Sequence, residues 1–110
     1  MAIKYIQIPE KKMTVAVLEN TRYSAVSRIA KALERTNALC FNPDKYVMPN
    51  SFKAIAKCAD GDEWDAEVGK IVAKAKVMKK YYKSYDKRLL AFQQDLNDAM
   101  FETVKFFQGA

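Results

Sequence analysis

The chain has 110 residues, with 19 Lys and Arg against 13 Asp and Glu, two Cys and no His, for a formal net charge of +6. That is one domain's worth of polypeptide. The absence of histidine excludes His-based general acid–base catalysis, Ser-His-Asp and Cys-His nucleophiles, and His-ligated metal sites.

Two runs near the start, Ile3-Lys4-Tyr5-Ile6-Gln7-Ile8 and Thr14-Val15-Ala16-Val17-Leu18, are rich in β-branched and aromatic residues. The connection between them, Pro9-Glu10-Lys11-Lys12, is polar and of hairpin length, so residues 1–19 predict a β-hairpin. Residues 20–50 read as an inserted helix and loop. Tyr23, Val26, Ile29, Ala30 and Leu33 recur at spacings of three and four, with Thr21 or Ser24 as cap and Thr36-Asn37 ahead of Pro43 as the stop. Cys40 to Asn50 holds two prolines and no period, which predicts a loop that packs down through its apolar members. Residues 51–58 (SFKAIAKC) predict a third strand, with a helical turn as the alternative. Cys40 and Cys58 form no C-x-x-C pair and are expected as ordinary buried thiols.

From Asp65 to Gln108 there is no proline, and Gly69 is the only glycine. The apolar positions follow a heptad: Val68, Ala75, Tyr82, Leu89 and Leu96 in one set, and Ile71, Met78, Tyr85, Phe92, Ala99 and Phe106 in the other, with Thr103 as the polar miss. A helix over 65–108 would be roughly 60 Å long, more than a domain this small covers by itself. Either it breaks near Ser84-Tyr85-Asp86 into an antiparallel pair or it packs against a second copy of the chain, and a homo-oligomer is expected. The predicted fold is α+β in a single domain over 1–110: a small antiparallel sheet, the hairpin plus a third strand, with a short inserted helix and a long C-terminal helix or helical hairpin. The start of the chain lacks an apolar leader and nowhere do 18 apolar residues run together, so no membrane segment and an intracellular location are expected.

The charge is uneven. Residues 60–67 carry five acids and no base, whereas 68–88 carry eight bases and one acid. The acidic run Asp60-Gly61-Asp62-Glu63-Trp64-Asp65-Ala66-Glu67 departs from an EF-hand loop, which needs Gly at its sixth position and Glu at its twelfth where this chain has Asp65 and Ile71. No metal site is assigned. Asp65 as helix cap, Glu67 in the first turn and Asp60-Gly61 as the turn off the strand account for the run. Trp64, the sole tryptophan, is expected in a core.

The segment from Ala56 through Lys57-Cys58, the acidic Asp62-Glu63-Trp64-Asp65 loop, Gly69 and Ile71-Val72-Ala73-Lys74-Ala75 resembles a signature of small bacteriophage-encoded proteins, over about residues 52–76. There a strand ending in Lys-Cys or Arg-Cys is followed by an acidic loop and an Ala-rich helix. The family includes, or lies close to, proteins that block host immunity, among them Thoeris anti-defence proteins that sequester a cyclic nucleotide signal without cleaving it. Typical relatives join the two strands by a tight Asp-Gly turn where this chain inserts residues 20–50. The resemblance implies a non-enzymatic phage protein in the host bacterial cytoplasm, with a cyclic nucleotide or a host defence protein as partner.

Lys76, Lys80, Lys83 and Lys87 form one positive stripe on a helix beside Lys79 and Arg88, with Tyr81, Tyr82 and Tyr85 interleaved. Ammonium groups neutralise phosphates and aromatic rings stack on bases. A solvated helix face, with Tyr82 and Tyr85 at core positions, is the competing reading. Arg28 and Arg35 share a face of the inserted helix with Lys31 between them. Arg22, Arg28 and Arg88 are the guanidinium candidates for a small phosphate ligand, and Lys76, Lys80, Lys83, Lys87 and Tyr81 complete the candidate anion site. No catalytic residue and no cofactor is assigned, since no carboxylate pairs with a nucleophile and no phosphate-cradling glycine loop is present. The alternative function is a small basic nucleic-acid-binding phage protein, the same lysines tracking a backbone.

Overall fold

The computed structural model describes residues 2–35, 42–59 and 61–109, with side chains through 102 apart from that of Arg35. The expectations for Thr36-Asn37, Cys40, Asp60 and the side chains of Arg35, Thr103 and Phe106 fall outside these. The elements in order are β1 (Ala2–Ile8), β2 (Met13–Glu19), α1 (Ala25–Arg35), β3 (Ser51–Lys57) and α2 (Ala66–Gly109), with 3-10 turns at Pro9–Lys11 and Pro43–Tyr46. This is the expected α+β class, and α2 runs unbroken through Ser84-Tyr85-Asp86 as one helix rather than an antiparallel pair. Among the described residues no helix is long and apolar enough to cross a membrane. The chain forms two compact units, Met1–Arg22 with Pro49–Lys83, and Tyr23–Met48 with Ser84–Ala110.

The first unit is an antiparallel sheet in the order β1-β2-β3 with the first turns of α2. Lys12 takes the left-handed conformation at φ 50°, and its N–H donates to the Pro9 carbonyl at 3.0 Å, closing the hairpin. The insertion leaves and rejoins the sheet at one place. There the Thr21 N–H donates to Asn50 O at 3.2 Å and the Thr21 hydroxyl to Pro49 O at 2.6 Å. Thr21 therefore ties the two ends of the insertion and does not cap α1.

Alternation along the strands puts Thr14, Ala16 and Leu18 of β2 and Ala54 and Ala56 of β3 on one buried face. The α2 residues buried in this unit are Ala73, Val77 and Tyr81, four apart, in line with Gly69. The heptad expectation is corrected here: Val68, Ile71 and Tyr82 are 54%, 69% and 55% exposed. The reason lies at Gly69. A Cβ on Gly69 would lie 2.2 Å from Thr14 Oγ1, so the close approach of α2 to β2 at this glycine sets the row Gly69, Ala73, Val77 and Tyr81 against the sheet and leaves Val68, Ile71 and Tyr82 outward. Tyr81, not Tyr82, enters the core, its ring edge-on to Phe52 at 5.8 Å.

The second unit is built on Val26, Ala30 and Tyr46, with Leu33, Tyr85, Phe92, Leu96 and Ala99 packed around them. Here the heptad partners pack as expected, except that Leu89 is exposed. Tyr23 and Ile29 are also exposed, so the buried face of α1 is narrower than the five-residue set. Ser24 stands at the cap position, but its hydroxyl has no hydrogen-bond partner among the described residues. Ser27 substitutes: its Oγ accepts from the Ser24 N–H and its hydroxyl donates to Ser24 O, both at 2.9 Å. Tyr46 is buried edge-on to Phe92 at 5.4 Å. Its hydroxyl donates to the Asp95 carboxylate, which also pairs with Lys45 Nζ at 2.7 Å. Burial, then Asp95, raises the Tyr46 pKa, while the hydrogen bonds from Lys45 and then Tyr46 lower that of Asp95.

Candidate anion-binding trough

Strand β3 is an edge strand, so alternate carbonyls have no strand to meet. Two of these are taken by lysines of α2. Lys76 Nζ donates to Ile55 O at 3.2 Å and Lys80 Nζ to Lys53 O at 2.7 Å. The two periodicities match, since two strand residues span about 6.6 Å and four helical residues about 6 Å. Lys79 and Lys83 line the same groove with Ala54 and Ile55, enclosing about 330 Å³.

The described ion pairs are Lys4 with Glu19, Lys45 with Asp95 and Lys70 with Glu67, so none of the four groove lysines meets a carboxylate among the described residues. An ammonium has three donors. Lys76 and Lys80 each spend one on a carbonyl, leaving two for an anion, and Lys79 and Lys83 are exposed.

A second cavity of about 200 Å³ lies at the start of α2, between that helix, β3 and the loop joining them. Ala56, Val68 and Val72 give it apolar walls, Trp64 closes one side, and Lys12, Lys57, Cys58, Glu63 and Asp65 supply its polar groups. The loop is strapped to the hairpin: the Cys58 N–H donates to Lys12 O at 2.9 Å, and Lys12 Nζ to Asp62 O at 2.9 Å. Asp65 caps α2 as expected, its Oδ1 accepting from the N–H groups of Glu67 at 2.9 Å and Val68 at 3.4 Å. Trp64 is half-buried beside the cavity rather than enclosed in a core. Cys58 is half-buried, with its sulfur 3.5 Å from the carbonyl oxygens of Asp62 and Glu63. Among the described residues no group of three His, Cys, Asp or Glu side chains is placed to hold a metal ion.

Of the candidate residues, Lys76, Lys80 and Lys83 come together in the groove, with Lys79. Tyr81 does not join them, because its ring is inside the sheet core; the neighbouring ring, Tyr82, is exposed, its centroid 5.4 Å from that of Tyr81. Arg22 is exposed in the sheet unit. Arg28, Lys87 and Arg88 belong to the other unit, where Arg28 and Lys87 are exposed. Arg88 is spent on structure there: Nε donates to Val47 O at 3.3 Å and Nη1 to Ser84 Oγ at 2.7 Å. Sequence reasoning missed the contribution of β3 to the groove and the cavity beside Trp64, because both depend on α2 lying against the β3 edge. Comparison with protein-family models, curated proteins and solved structures finds no match for this chain.

Proposed function

We propose that this chain is a non-enzymatic binding protein that holds a nucleic-acid strand along the groove between β3 and α2. The carrying observation is the set of four lysines in that groove, Lys76, Lys79, Lys80 and Lys83, which meet no carboxylate among the described residues. Cations that a fold leaves unpaired in one line are suited to the regular charges of a phosphate backbone, and counterion release drives such binding. Their anchoring also helps. Lys76 and Lys80 are held by the Ile55 and Lys53 carbonyls, so less side-chain freedom is lost when a phosphate arrives.

Together with the resemblance of residues 52–76 to small bacteriophage-encoded proteins, this reading proposes that the strand is held in an infected bacterium, where masking it from the host would counter its defence. Sequestering a compact cyclic nucleotide is less well supported, since such a ligand favours planar guanidinium forks, and Arg88 is committed to Val47 and Ser84. Self-association belongs to the same proposal. Ile71, Ala75 and Tyr82 stand outward at heptad positions of α2, where a second copy would cover them without closing the groove.

The test is anisotropy of a labelled single-stranded DNA titrated with the protein at low and physiological salt. The proposal expects binding that weakens steeply with salt. No anisotropy change at any salt would refute it.

A further inference from the structure

The cavity beside Trp64 and the lysine groove share both their walls. Ala56 of the cavity is the strand neighbour of Ile55 in the groove, and Val72 of the cavity is one helical turn before Lys76. A chain lying along the groove thus meets the cavity one step beyond its last lysine. We propose that the cavity is a base-binding subsite, in which one unpaired nucleobase stacks on Trp64 while its strand's phosphates continue over Lys76, Lys79, Lys80 and Lys83. This rests on the nucleic-acid reading and adds to it the requirement that the strand carry at least one unstacked base.

The chemistry of the walls suits a base better than a purely apolar ligand. Ala56, Val68 and Val72 offer an apolar slot to the faces of a planar ring, with the Trp64 indole as its stacking partner. Lys57 at the rim donates to ring nitrogens and carbonyl oxygens, and Glu63 accepts from an exocyclic amine, the two complementary edges that bases present. The volume of about 200 Å³ has room for one ring system and not for a run of stacked bases. The slot is also preformed, because the Lys12 bonds to Cys58 and Asp62 and the Asp65 cap fix the loop before any ligand arrives. A tryptophan serving only as core would be enclosed on every side, whereas Trp64 is only partly buried and borders a space.

Trp64 is the sole tryptophan, so tryptophan emission, excited to the red of tyrosine absorption, reports on this cavity alone. The experiment titrates the wild-type protein with a labelled short single-stranded DNA and with an abasic strand of the same length, following the anisotropy of the label and the emission of Trp64. The expected result is that both strands bind, the base-bearing one about tenfold more tightly, and that it alone quenches Trp64. Equal affinities with unchanged Trp64 emission would overturn the base subsite and leave the lysine reading standing. Absence of binding by either strand would overturn both. Trp64→Ala should bind the two strands equally at the wild-type abasic affinity. Should that variant fail to fold by circular dichroism, the wild-type comparison decides the matter by itself.

Discussion

The Lys80 ammonium sits 2.7 Å from the backbone carbonyl oxygen of Lys53, so a side chain suited to holding phosphate also closes the open edge of the sheet. Lys76 does the same at Ile55. Unpaired edge strands template pairing with other chains, and lysine is a common protection against it. Lys76→Ala with Lys80→Ala should therefore make the protein aggregate faster at micromolar concentration, measured by light scattering over time. Lys79→Glu with Lys83→Glu, which leaves both carbonyls covered, should scatter like the wild type. Equal scattering from the two double variants would mean that the Lys76 and Lys80 bonds do not protect the edge.

The contact between Gly69 and Thr14 sets how closely α2 lies on β2. Adding a Cβ at Gly69 would put it 2.2 Å from Thr14 Oγ1, whose hydroxyl is itself donated to Gln7 Oε1 at 2.7 Å. Overpacking of this kind costs about 1–3 kcal/mol, and the higher helix propensity of alanine returns roughly 1 kcal/mol of it. Gly69→Ala should lower the chemical-denaturation midpoint. Thr14→Ala in the same chain should recover part of the loss, a coupling that a double-mutant cycle measures. Additive effects would show that the two positions are not in contact.

Tyr46 and Asp95 make stability depend on pH in opposite directions. The Tyr46 pKa is raised above its ordinary value of 10.0, so its contribution is complete below about pH 10 and is lost as pH rises beyond that. Asp95 is lowered from 3.8, so its contribution is present above about pH 4 and lost as pH falls through its folded value. Tyr46→Phe should cost about 2 kcal/mol at neutral pH and flatten the alkaline loss in denaturation midpoints measured across pH 7 to 11. An alkaline loss of wild-type size in the Phe variant would assign it to other groups.

Self-association is testable at the outward face of α2. Ile71→Glu with Tyr82→Glu places charge at two exposed heptad positions and should convert an oligomer into a monomer in sedimentation velocity, with little change in folded stability because both side chains are already exposed. A wild-type monomer at micromolar concentration contradicts this part of the proposal.

Much of the architecture is legible in residue order because local chemistry decides it. The alternation of Ile3 to Ile8 and Thr14 to Leu18 gives a hairpin whatever lies elsewhere, and Asp65 ahead of an uninterrupted helix can hardly do other than cap it. The facing of α2 is not legible that way. Val68, Ile71 and Tyr82 make an equally apolar row, yet Gly69, Ala73, Val77 and Tyr81 meet the sheet because the helix can approach closely at Gly69, and that competition appears only once Thr14 is known to lie opposite. The lysines show the same limit. Their spacing marks a stripe, but the division between Lys76 and Lys80, anchored on β3, and Lys79 and Lys83, left to solvent, depends on β3 being the edge strand. Tyr81 was displaced from the candidate site for a similar reason: Phe52 lies where its ring can pack edge-on.

The most direct measurement of the central claim is the affinity of wild type and of Lys79→Glu with Lys83→Glu for a labelled single-stranded DNA, by anisotropy, across a series of salt concentrations. Each phosphate contact in a single strand contributes about 0.7 to the slope of log affinity against log salt. The wild type should bind with a steep negative slope, and the double variant should lose at least tenfold in affinity and show a slope shallower by roughly 1.4. Wild-type affinity and slope in the folded double variant would contradict the assignment of this groove.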